Sequence, residues 1–365
     1  MMVDRAEGDL RVEMMTIDQA GLTSLRPEWE ALEERSSPPP YLWFEWMAGW
    51  ADVYEPRGLR VLRIASLDGG TVGLGLLEER SGRRWRFAGG SVTPVRGILS
   101  RSEDGAACWR ALAAWLRERR WRWTSIEADG VQPEALTLPA ASWRQESWLA
   151  LELPESFEEY LQQRPSGVRR SLRTAERQGA VARQASRELT PSAIDAFIRL
   201  HTARAKAKGE AHKHIDARLG QLLKKLASAR TSAVKAFTLT RGSAIIAVTV
   251  RLDRGRSSWF YNAGFDPQAG RISPGVVIEI ASIQDAIRTG QTTYDLGPGD
   301  YRYKRELGGE EHRALFVRST SPTIGGELFR MYLAALRLVS RSPRARAAVH
   351  KKRAADQTQR VEVSQ

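Results

Sequence analysis

The chain has 365 residues, 42% hydrophobic and 27% charged, which argues against wholesale disorder and against a disulfide-stapled miniprotein, and leaves room for two cores. Cys108 is the only cysteine and the five histidines show no ligand spacing with a second thiol, so no disulfide and no structural metal is implied, and a reducing, cytoplasmic compartment is expected. The formal net charge of +13 sits in two stretches, seven arginines against Glu176 over 164–187 and nine Lys/Arg against Asp356 and Glu362 over 330–365, a distribution that argues against a generally basic binding surface.

The opening residues MMVDRAEGDL carry no apolar signal core, and the strongest apolar run, 244–250, is far too short to span a membrane. Eleven of the twelve tryptophans lie between Trp29 and Trp148, and this shift marks a boundary near residue 150. The first half reads as a helix over 43–50, then strands over 59–66, 72–77 and 85–87, separated by glycine turns and ending before Gly89. A helix follows in which Cys108, Leu112, Trp115 and Leu116 share one face, with Arg117, Arg119 and Arg120 at its negative end and a strand over 123–127 beyond. Residues 151–167, with two prolines and a helix start at Ser156, suit a linker.

The second half repeats the order. A helix over 194–206 precedes strands over 234–240, 244–252 and 258–263, again with glycine turns and ending before Gly264. The offsets between corresponding glycines, Gly69 to Gly242 and Gly89 to Gly264, agree to within two residues. Ser273 then suits an N-cap, Pro274 the first helical position, Val276, Val277, Ile280 and Ile287 an apolar stripe, and Gly290 a helix end, before a strand over 292–296. The expected fold is therefore α/β with a mixed sheet in each half. Residues 1–150 would form a first, degenerate module, 151–325 a second module with the active site, and 326–365 an amphipathic helix with a basic tail.

A helix that begins directly after a strand presents unpaired N–H groups and a positive dipole end, which can hold a phosphate. Arg271, Ser273 and Gly275 stand at that place, offering a charge, a hydroxyl and close backbone approach; a capped helix with no ligand has the same spacing. After the next strand, Tyr294, Asp295, Asp300, Tyr303 and Lys304 gather acids, phenols and a cation where open α/β sheets collect ligands. The same residues also fit a simple Gly297-Pro298-Gly299 turn capped by Asp295.

The run Tyr261-Asn262-Ala263-Gly264-Phe265-Asp266-Pro267, followed by Ser273-Pro274-Gly275, Tyr294-Asp295-Leu296-Gly297-Pro298-Gly299 and Tyr303-Lys304, resembles the GNAT-type acetyltransferases of the CelD-like group associated with bacterial cellulose biosynthesis. The basic run Arg169-Arg170 to Arg177 and the helix with His201 and Arg204 share the resemblance, which covers about residues 155–320. It implies two tandem GNAT domains related to Fem-type transferases that use aminoacyl-tRNA. It further implies transfer from acetyl-CoA or another acyl-CoA to an amine or hydroxyl of a small-molecule or glycan acceptor. By that resemblance the cofactor pyrophosphate lies on Arg271, Ser273 and Gly275, and the backbone of Asn262, Ala263 and Gly264 supplies the thioester-oxygen donor. Asp295 would be the base for the acceptor, Tyr303 the acid for the leaving thiolate, and Lys304 a ligand for phosphate or an anionic acceptor. The chain departs from the usual glycine-rich phosphate pattern by placing Pro274 where a backbone donor would stand, which leaves a different acyl donor, or an inert binding protein of the same fold, open.

Arg169, Arg170, Arg173 and Arg177 fall at helical spacing and suit an anionic acceptor, the cofactor phosphates or tRNA, or else a solvated face. Within 328–353, an apolar helical stripe followed by a basic tail suits packing on the body or contact with an anionic membrane.

Overall fold

A computed structural model describes residues 10–207, 215, 217–229, 233–269 and 272–341, with backbone alone over 337–341. The first half begins with β1 (Leu10–Thr16), α1 (Gln19–Ser24), α2 (Arg26–Ser36) and α3 (Phe44–Tyr54). The meander β2 (Leu59–Ser66), β3 (Thr71–Arg80) and β4 (Arg84–Phe87) follows, then a short β5 (Leu99–Ser100), α4 (Gly105–Glu118), β6 (Ser125–Val131) and β7 (Ala141–Glu152). The second half runs α5 (Phe157–Gln162), α6 (Ser166–Arg177), β8 (Ala180–Gln184), α7 (Thr190–Ala207) and α8 (Ala217–Ser228) into β9 (Val234–Arg241), β10 (Ala244–Arg254) and β11 (Ser257–Phe265). It ends with α9 (Pro274–Arg288), β12 (Thr293–Pro298), α10 (Arg302–Glu306), β13 (Glu310–Thr320) and α11 (Ile324–Arg341).

All thirteen strands belong to one mixed sheet in the order β1-β2-β3-β4-β6-β13-β7-β12-β11-β10-β9-β8, with β5 beside β3. The halves interlock at its centre. β13 lies between β6 and β7, while β7 pairs on its other side with β12, Leu151 opposite Tyr294 and Glu152 opposite Thr293. The segment read as a linker from residue 151 therefore starts inside a central strand, because the buried Leu149 and Leu151 complete the sheet.

Alternation along each strand assigns the two faces. Val248, Val250 and Leu252 of β10 point to one face, where α1, α2, α3, α7 and α8 bury a tryptophan-rich core that both halves share. Trp43 meets Trp259 edge-on at 5.7 Å there, and Arg254 pairs with the buried Glu33. The opposite face is covered by α4 in the first half and by α5, α6 and α9 in the second. Here Arg251 of β10, fully buried, donates to Asp253 at 2.8 Å and to Asp285 of α9 at 2.8 Å, a charged clasp that fixes the helix on the sheet.

Candidate functional site: a divergence of two parallel strands

β11 and β12 run parallel, but pair only over Ser257–Thr293, Ser258–Tyr294 and Trp259–Asp295. Beyond Trp259 the strands part. Gly264 sets how closely α7 packs on this strand: a Cβ there would stand 2.7 Å from the Phe197 carbonyl oxygen and 2.8 Å from the His201 nitrogen, so only glycine lets α7 lie directly on β11. The Ala263 N–H donates to the Asn262 side-chain oxygen at 2.8 Å.

On the α9 face the divergence opens into a cleft of about 380 Å3, lined by Phe260, Asn262, Ala263 and Phe265 of β11, by Ser273, Gly275 and Glu279 from the start of α9, and by Arg204 and Tyr303. Ser273 occupies the N-cap position, yet its side chain makes no capping hydrogen bond. Gly275 supplies the first amide of the helix, since Pro274 has none, and its missing Cβ leaves room for the Phe265 ring, which one would touch at 3.0 Å. The Arg204 guanidinium lies 4.5 Å from the centre of the same ring, and its buried Nε has no hydrogen-bond partner among the described residues. Arg271, expected beside this helix start, lies outside the described residues.

A wider groove of about 890 Å3 crosses the middle of the sheet, reaching from Trp148, Trp259, Asp295 and His312 on the face opposite α9 to Glu159 and Gln163 at α5. Asp295 ends the paired part of β12, at the point where the strands separate. Its carboxylate accepts from Trp148 Nε1 at 2.7 Å and from the Gly297 N–H at 2.6 Å, so it caps the turn as well as facing the groove. Burial outweighs these hydrogen bonds and pushes its pKa up from 3.8 to about 6.

The three residues expected to act together are thus distributed. Asp295 faces the groove and Tyr303 the cleft, where burial holds the phenol above its ordinary value of 10 and keeps it protonated. Lys304 reaches neither opening: it is 2% exposed and its ammonium donates to the carbonyls of Gly297 at 3.1 Å and Pro298 at 2.6 Å. The reason is local, since 302–306 coil into α10, which turns successive side chains away from one another. Burial lowers the Lys304 pKa to about 8.

Glu279 was not visible as a site residue in the sequence, where it sits inside the apolar run Val276 to Ile280. In the fold it is 1% exposed beneath the cleft and accepts from Thr249 Oγ1 at 2.9 Å and from Tyr294 Oη at 2.7 Å. Burial raises its pKa to about 7, so this carboxyl can take or give a proton near neutrality. The one available signal was an acid within an otherwise buried helical stripe.

The first half contains the same parallel divergence, with β4 and β6 paired only over 84–86 and 125–127. There it is filled. The chain leaves the sheet after Phe87 and returns at β5, and between them Arg96 and Asp129 exchange backbone hydrogen bonds of 2.8 and 3.0 Å and pair through their side chains. Val92 and Val95 are buried in the same excursion.

Among the described residues no cluster of His, Cys, Asp and Glu could hold a metal ion, and no helix is long and apolar enough to cross a membrane. Among curated proteins, none matches the chain. FemX superimposes with a TM-score of 0.60 at 12% identity, over 87% of this chain and 99% of that one. L-PGS from Bacillus licheniformis gives 0.54 at 12% identity, over 87% and 97%. The C-terminal domain of a proposed lysylphosphatidylglycerol synthetase from Agrobacterium fabrum gives 0.54 at 10%, over 84% and 95%. At such identities the likeness is one of fold. Residues 162–305, which hold β8 to β12 and both walls of the open divergence, match the acetyltransferase (GNAT) domain, and the chain is a mixed α/β protein of GNAT-like fold.

Proposed function

We propose that the protein is an acyltransferase that binds an acyl-CoA in the cleft beside α9. It passes the acyl group through the β11–β12 divergence to an amine or hydroxyl held in the groove at Asp295. The observation that carries this reading is a parallel strand pair that parts between two openings, one at the start of α9 and one at Asp295. The donor-side residues fit a phosphate-bearing group: the Gly275 amide and the Ser273 hydroxyl stand at the N-terminus of α9, and Arg204, whose Nε has no partner among the described residues, lines the same cleft. Bound there, the thioester supplies the activated acyl carbon.

The Ala263 N–H, released from Asn262, is the donor for the thioester oxygen as charge builds on it. Asp295 is assigned as the base in preference to Glu279 because it faces the acceptor groove, and with a pKa of about 6 it is ionised at neutral pH. Tyr303, protonated on the donor side, gives its phenolic proton to the departing thiolate. Trp259, half-buried in the groove wall beside the buried Trp148, suits a sugar ring, which supports a glycan-type acceptor of the envelope or polysaccharide class. The filled first divergence supports residues 1–150 as a copy that has lost the donor site.

Titration calorimetry with acetyl-CoA tests the reading. Wild type should bind and Gly275→Glu should not, because a carboxylate would press on Phe265 and repel phosphate; absence of binding by wild type would refute it. A second reading, transfer from aminoacyl-tRNA, is favoured by the exposed Arg170, Arg173 and Arg177 of α6 and by the likeness to FemX. Salt-sensitive tRNA binding lost in the triple glutamine variant, with no acetyl-CoA binding, would select it.

A further inference from the structure

Helix α11 leaves the body with an apolar face that no described residue covers. Its root is fixed: the Ser321 N–H donates to the Thr124 carbonyl at 2.9 Å, and Gly326 lies so close to the Ser321 backbone that no Cβ fits. One flank packs inward, where Phe329 lies under the Arg84 guanidinium at 5.4 Å. The other presents Ile324, Leu328, Met331, Tyr332 and Leu336, which are 77%, 61%, 66%, 57% and 46% exposed. Their spacing of four, three, one and four residues makes a single stripe along the helix.

Charge identifies the occupant. From Arg330 to Arg353 the sequence holds eight Lys/Arg and no acid, while the acids resume only at Asp356. An apolar helical stripe followed in sequence by an uninterrupted cationic run matches the boundary of an anionic bilayer, whose acyl region takes the stripe and whose headgroups take the charge. A nucleic acid would satisfy the cations and leave the stripe in water. We infer that the exposed face of α11 docks the protein on an anionic lipid surface, with the cations that follow it in sequence supplying the matching charge. This stands apart from the acyl-transfer reading, because it uses no residue of the cleft or groove.

The test is flotation with vesicles of phosphatidylcholine containing about one third phosphatidylglycerol, against vesicles of phosphatidylcholine alone. The expected result is binding to the anionic vesicles, abolished by about 1 M salt and weakened more than about tenfold by the double variant Leu328→Glu, Met331→Glu. Both positions are exposed, so the variant should keep the wild-type melting temperature and acetyl-CoA affinity. Failure of the wild type to float, equal flotation of the variant, or binding to tRNA without binding to vesicles would overturn the inference. So would a dimer in sedimentation velocity that the double variant splits, since the stripe would then be covered by a second copy.

Discussion

Replacing Glu279 by Gln isolates what burial does to the carboxyl beneath the cleft. Glu279 is 1% exposed, and loss of water raises its pKa from 4.5 to about 7 against the hydroxyl hydrogen bonds of Tyr294 and Thr249 and the charges of Arg251 and Lys304, all of which favour the carboxylate. The folded state therefore holds a proton that the unfolded chain releases earlier. Stability from this group is greatest below pH 4.5 and is lost as pH rises towards 7. The distance between those two values corresponds to about 3 kcal/mol, reached in full only above pH 7. Glutamine carries no titrating proton. Urea unfolding of both proteins from about pH 4 to pH 8 should show the variant gaining on wild type by about 3 kcal/mol across the range, with most of the gain between pH 5 and 7. Parallel curves would refute the reasoning, because they would mean that the carboxyl titrates alike in both states. An NMR titration of the labelled side chain supplies the same value without unfolding.

Asp295→Asn should lower kcat by about 10²- to 10⁴-fold and remove the acid limb of the pH–rate profile near pH 6, a limb on which activity rises as the carboxyl loses its proton; persistence of that limb would assign it to another group. Gly264→Ala should destabilise by about 1–3 kcal/mol and weaken acetyl-CoA binding, since its Cβ meets the α7 backbone at 2.7 and 2.8 Å, whereas Gly275→Ala meets only the movable Phe265 ring; thermal melts of the pair check the order. Arg251→Ala should cost about 3–5 kcal/mol in denaturant unfolding because it strips Asp253 and Asp285 of a fully buried partner, and a loss under 1 kcal/mol would contradict the clasp.

Local signals were read well where a short stretch of sequence determines the outcome. Ser156 caps α5 by accepting from the Glu159 N–H, Pro274 opens α9, and both meanders form where alternating residues and glycine turns placed them. Long-range pairing was not legible. Nothing in residues 310–320 announces that β13 will insert between β6 and β7, because register across more than 150 residues depends on which edges remain unpaired once the rest has folded. The site shows the same division. The cleft and its helix start follow from strand-then-helix order, but Asp295 lining the groove while Tyr303 lines the cleft follows from side-chain alternation and from the turn of α10, which residue spacing alone does not show. Glu279 escaped notice because its chemistry comes from burial, and burial is a property of the assembled fold.

The most direct measurement is a crystal structure of the protein grown with acetyl-CoA. The account predicts electron density for the pyrophosphate at the amides of Gly275 and Val276 and for the acyl carbonyl oxygen within hydrogen-bond reach of the Ala263 N–H, with the Asn262 side chain swung aside. Density for the molecule elsewhere on the surface, or an unchanged Asn262 contact under saturating ligand, would contradict it.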